Sequence, residues 1–132
     1  MEDFSYIDFK QGGLRKRIED NEISICFTKA CKVISFSKNV SQEIKDRGLK
    51  YVRLVKSNLT SEFLFVISND TKGIKLSNLA NRNYIRIHCI DLIIFLRKTF
   101  SLHGEYERLF IGKNIANSEE FMTFKLTKAL EK

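Results

Sequence analysis

His88, Cys89 and Asp91 are the residues of this chain whose chemistry first suggests a reaction. A thiol beside an imidazole can act as a nucleophile with its base. Their spacing argues otherwise. They stand at the start of a segment with helical character, where neighbours at i and i+1 do not face each other. His88 and Asp91 are three apart, the spacing of an N-cap and its N3 partner in a capping box. His103, at the far end of the same segment, is placed to meet the helix carbonyl end. Metal binding fares no better. The two histidines and the three cysteines, Cys26, Cys31 and Cys89, fit no zinc spacing. Gly12-Gly13 lacks the strand–loop–helix setting of a phosphate loop. Glu119-Glu120 reads as a solvated pair. The expectation is a protein without catalysis, metal or cofactor.

Positive charge is the stronger signal. The 132 residues carry 23 Lys and Arg against 16 Asp and Glu, a formal net charge of +7. Such a balance points toward an anionic partner. Lys72, Lys75, Arg82 and Arg86 fall in one stretch that contains no acid after Asp70, with Asn78, Asn81, Asn83 and Tyr84 interleaved. Cations there can neutralise phosphates, while amides and a ring meet bases. Lys29, Lys32 and Lys38 offer a second basic edge. DNA or RNA is therefore the expected partner, and a solvated connector is the bland alternative. An acidic protein or a second copy of the chain is the other class of partner. A membrane is not expected, because the apolar run from Ile90 to Leu96 is far below the ~20 residues that span a bilayer. The odd cysteine count without Cys-x-x-Cys points to a reducing compartment, hence the cytoplasm.

The elements that must position these residues follow from periodicity. Ile23, Ile25 and Phe27 alternate with Glu22, Ser24 and Cys26, which is a strand pattern. Lys29 to Cys31 turns, and Val33 to Ser37 resumes as a strand. Ser37 is an N-cap candidate for a short helix through Val40 and Ile44 that ends at Gly48. Tyr51 to Val55, Glu62 to Ser68 and Ile74 to Leu76 read as strands. Ser77 to Asn83 reads as connector, and Tyr84 to Ile87 as strand. A helix from about Cys89 to Phe100, closed by Gly104, is apolar nearly all round, which predicts burial on several sides. Tyr106 to Ile111 and Phe121 to Thr127 are the last strands. The chain contains no proline, so its turns rest on Gly, Asn, Asp and Ser.

Strand, helix, strand, strand occurs twice in this reading, from about Val33 to Ser68 and from about Tyr84 to Thr127. Ile34-Ser35-Phe36 parallels Ile85-Arg86-Ile87, Tyr51-Val52-Arg53-Leu54 parallels Tyr106-Glu107-Arg108-Leu109, and Glu62-Phe63 parallels Glu120-Phe121. The expected class is α+β: one domain over 1–132, built of two βαββ units in halves 22–76 and 84–128, with an N-terminal arm over 1–21.

Lys32 to Ser37 entering a helix, Gly48-Leu49 leaving it, and Tyr51 to Leu54 with Phe63 to Ile67 as a hairpin together resemble the swapped-hairpin, AbrB/MazE-type transcription-factor domain. The chain departs from that family in having Ser37 where a proline usually starts the helix, Ala30 or Cys31 where a glycine turns, and a longer hairpin loop. The resemblance implies a small regulatory protein that binds DNA.

Overall fold

Alternation sets the strands of this chain, and the described strands wind into a single sheet. The computed structural model describes residues 18, 22–80, 84–112 and 120–128. The expected N-terminal arm, most of the loop after Gly112, and Arg82 lie outside the described residues apart from Ile18. The described elements are β1 Glu22–Phe27, β2 Lys32–Phe36, α1 Lys38–Arg47, β3 Tyr51–Lys56, β4 Phe63–Ser68, β5 Ile74–Lys75, β6 Arg86–Ile87, α2 Ile90–Thr99, β7 Tyr106–Ile111 and β8 Phe121–Lys128. The strands pair antiparallel throughout, in the order β5-β3-β4-β8-β7-β1-β2-β6. The two outer strands then meet. Ser77, just past β5, and Arg86 of β6 exchange both backbone hydrogen bonds, at 2.8 and 3.2 Å. The sheet is thus a nearly closed barrel.

One face of every strand points inward. Ile25 of β1 stands opposite Ile34 of β2, and Ile23 opposite Phe36. On β8, Met122, Phe124 and Leu126 stand opposite Ile67, Phe65 and Phe63 of β4. Nearly all of these side chains are buried, and a fully buried one contributes about 1.5–3 kcal/mol. An eight-stranded barrel is just wide enough for side chains to fill. Phe36 and Phe65, from opposite walls, do so edge to face with ring centroids 6.0 Å apart.

The helices carry the chain across the barrel ends. β2 feeds α1 at one end, and its antiparallel neighbour β6 feeds α2 at the other. Each helix passes two strands before its chain rejoins the wall. α1 buries Val40, Ser41 and Ile44. The Ser41 hydroxyl accepts the Ile85 N–H at 3.0 Å and so ties α1 to the strand beside the seam. Ser37 does occupy the N-cap position, though without a side-chain cap bond, and Gly48 ends the helix with φ +67°. That left-handed backbone suits glycine. Lys45 and Arg47 complement the carbonyl end.

Three expectations are corrected. The class is mostly β, with two short helices, and not α+β. The βαββ units do not exist as packed units. β4 pairs with β8 and β2 with β6, so strands of each expected copy pair with strands of the other, and β1, outside both copies, pairs with β2 and β7. The barrel needs strands of both to close around one interior. Finally, α2 is not enclosed. Leu92, Ile93 and Leu96 are buried, but Ile90, Ile94 and Phe95 are exposed. A helix laid across a barrel end has wall on one side only. Its N-cap is Cys89, without a side-chain cap bond, so the capping box of His88 and Asp91 is not formed. Ser101, with φ +55°, turns the chain out of α2 in place of Gly104.

Two substitutions test this packing. Ile93→Asp places a charge in the core at a cost of several kcal/mol and should abolish the cooperative urea transition, whereas Ile94→Asp should leave a normal one. Gly48→Ala meets no atom within 4 Å, so its cost should be that of the left-handed backbone alone, about 1–2 kcal/mol in urea unfolding.

Candidate nucleic-acid interface

The closing seam sets two exposed cations of the basic stretch, Lys75 and Arg86, on the barrel wall. Leu76, Ile85 and Ile87 are buried toward the interior, and Ile74 partly so. Side chains alternate along a strand, so Lys75 and Arg86 face outward, and both are exposed. Register extends this face sideways. Arg86 stands opposite Ser35, Ser35 opposite Ser24, and Ser24 opposite Arg108. On the other side Arg86 is bridged to Ser77. Directly paired residues share a face, so Arg108, Ser24, Ser35, Arg86 and Ser77 form one band across the wall. Lys75, two residues from Ser77, stands opposite Tyr51 of β3.

The flanking cations are neutralised and the central ones are not. Arg108 meets Glu22 at 3.4 Å, with both side chains largely buried. Arg53 of β3 meets Asp70 at 3.1 Å. Among the described residues, Lys75 and Arg86 have no ion-pair partner. The Lys72 amide donates to the Asp70 carboxylate at 3.0 Å. That bond first, and the Arg53 guanidinium second, hold the Asp70 carboxyl below its ordinary range against the opposing effect of burial. The same loop, 69–73, must carry the chain from β4 past β3 to β5, since β3 lies between them. Gly73 passes so close to β3 that a Cβ there would stand 2.8 Å from the Val52 carbonyl oxygen. The loop is therefore pinned against the wall, with the exposed Lys72 two residues before β5.

The sequence-predicted residues do not all converge. Lys75 and Arg86 share the seam, and Lys72 stands in the loop that precedes β5. Tyr84 is half-buried, and its carbonyl accepts the Asn78 amide at 3.2 Å. Lys29 and Lys32 belong to the β1–β2 hairpin at the α2 end. There the Lys32 ammonium lies 5.8 Å from the Phe27 ring centroid and donates to the Lys29 carbonyl at 3.4 Å. Lys38 opens α1 at the opposite end, three residues past Ser35, which pairs with Arg86. Ser24, Ser35, Ser77 and Tyr51 were missed. Alternation shows that Ser24 and Ser35 point outward, but only the strand order makes them neighbours of Arg86.

The other chemical candidates stay apart. Among the described residues, no hydrogen bond joins His88, Cys89 and Asp91, and no group of three His, Cys, Asp or Glu is placed to hold a metal. Cys26, Cys31 and Cys89 are free thiols, and the Cys26 thiol donates to the Cys31 carbonyl at 3.6 Å. No helix among the described residues is long and apolar enough to cross a membrane.

No protein-family model, curated protein or solved structure matches this chain.

The pinned loop has a titration signature. Asp70 is depressed in the folded chain, so its contribution to stability is complete above the unfolded carboxylate pKa and is lost as pH falls through the lower folded value. Carbon-detected NMR titration should find Asp70 protonating below the ordinary aspartate range, and Arg53→Ala should move it upward without fully restoring that range, because the Lys72 amide remains.

Proposed function

We propose that this chain is a small intracellular nucleic-acid-binding or regulatory protein without catalysis, and that it meets the sugar–phosphate backbone with the outer wall at its closing seam. The observation that carries the reading is the pair Lys75 and Arg86, exposed on neighbouring strand segments and lacking acid partners among the described residues. Cations placed this way take phosphate oxygens, and the hydroxyls of Ser77 and Ser35 on either side of Arg86 can donate to the same groups. Diagonal neighbours across a strand pair are about 7–8 Å apart, so one short run of backbone can reach both. Tyr51, half-buried opposite Lys75, offers an aromatic surface that a base can stack on. The formal charge of +7 adds long-range attraction.

The resemblance of residues 32–67 to the swapped-hairpin transcription-factor domain agrees with this choice of partner. Three free cysteines suit the reducing cytoplasm, which is the compartment we assign.

Fluorescence anisotropy with labelled single-stranded and duplex DNA over a salt series tests the reading. The combined Lys75→Gln and Arg86→Gln change should weaken binding and reduce the slope of log K against log salt by about 1.8 for duplex, or about 1.4 for single strand, as expected for two lost phosphate contacts. Lys29→Gln, in the β1–β2 turn at the α2 end of the barrel, should leave affinity and slope nearly unchanged. Binding that ignores the seam substitutions would remove the seam from the interface.

A further inference from the structure

The barrel end crossed by α2 carries exposed apolar residues with Lys56 and Lys98 beside them, and Glu62 there is already paired with Lys125. Ile90, Ile94 and Phe95 are 52%, 49% and 43% exposed. Residues 90, 94 and 98 recur every four positions, so Ile90, Ile94 and Lys98 line one side of the helix. Phe95 leans onto Phe63, the first residue of β4, with centroids 5.5 Å apart. Phe63 also meets Phe100, at 6.3 Å. The Lys56 ammonium lies 5.9 Å from the Phe63 ring centroid. The loop leading into Phe63 leaves Leu59 97% exposed at the same end of the barrel. Scattered apolar residues on a surface need no explanation, but a joined set with a polar border marks a contact site.

We infer that this end binds an acidic amphipathic segment of another protein. Its apolar side chains, at helical spacing, seat against Ile90, Ile94 and Phe95, and its carboxylates meet Lys56 and Lys98. Charge selects this occupant. Asp91, the exposed acid of the same helix, lies in the first turn, where the helix dipole compensates it. The other end of the patch is left positive. A second copy of the chain would bring the same lysines face to face, each copy carrying a formal charge of +7. A nucleic acid would satisfy the lysines but set phosphate and sugar against Ile90 and Ile94. An apolar ridge flanked by carboxylates satisfies both features at once, in the helix-in-groove manner. The site is separate from the seam, which lies on the barrel wall.

Selection of a displayed library of helical peptides against the full chain, at moderate salt, tests this. The enriched peptides should carry apolar residues at i, i+3 or i+4 and i+7 with Asp or Glu beside them. Ile94→Glu should weaken them by about tenfold or more, the scale of losing one interface anchor, with its melting curve unchanged. Lys56→Glu with Lys98→Glu should redirect selection to Lys-flanked peptides, and Lys75→Gln with Arg86→Gln should leave the original peptides bound. Any of four results would overturn the inference: no enrichment, enriched peptides without acids, equal binding to Ile94→Glu, or a dimer by sedimentation that Ile94→Glu dissolves. Loss of DNA affinity in Ile94→Glu would assign this end to nucleic acid instead.

Discussion

Ser77 and Arg86 hold together the two edges of a sheet that would otherwise end in strands of two residues each. Unpaired edge groups invite other chains, and a closed ring removes them. Closure also creates the interior. Only when β2 and β4 stand on opposite walls can Phe36 and Phe65 touch, and only then do the inward residues of every strand share one core. The Ser41 hydroxyl, bound to the Ile85 amide next to the seam, links that closure to the helix at the barrel end. The seam, the filled interior and α1 therefore depend on one another.

The surface inherits its character from the same constraint. A strand beside the seam must send Ile85 and Ile87 inward, and this turns Arg86 out. The acids nearest the wall are already committed, Glu22 to Arg108 and Asp70 to Arg53 and the Lys72 amide. What is left outward at the seam is positive. At the barrel end a different logic holds. α2 covers an opening, so one side of it meets the core and the other meets water. The apolar residues on the second side are then available for a partner, and their separation from the seam lets one small chain present two chemically different faces.

Local order was legible without coordinates. Alternation placed the strands at Glu22–Phe27, Phe63–Ser68, Tyr106–Ile111 and Phe121–Lys128 within a residue or two, and Gly48 marked the end of α1. Within the candidate site, the exposed cations Lys75 and Arg86 were legible as well, because polar residues between apolar ones must face away from the core. The barrel was not legible. Periodicity records which way a side chain points but not which strand lies beside it, and the recurring strand–helix–strand–strand order is equally compatible with two packed units and with one interleaved ring.

Amino-acid order by itself thus determined the strands, the helices, the excess of positive charge and the inward face of the strands that alternate, since all of these arise from interactions between near neighbours. Tertiary structure alone decided the mostly-β class, the band from Arg108 through Ser35 to Ser77, and the exposure of Ile90, Ile94 and Phe95. These are set by which distant strands share hydrogen bonds and by how many walls a helix meets. Both depend on closing the whole ring around a single filled interior.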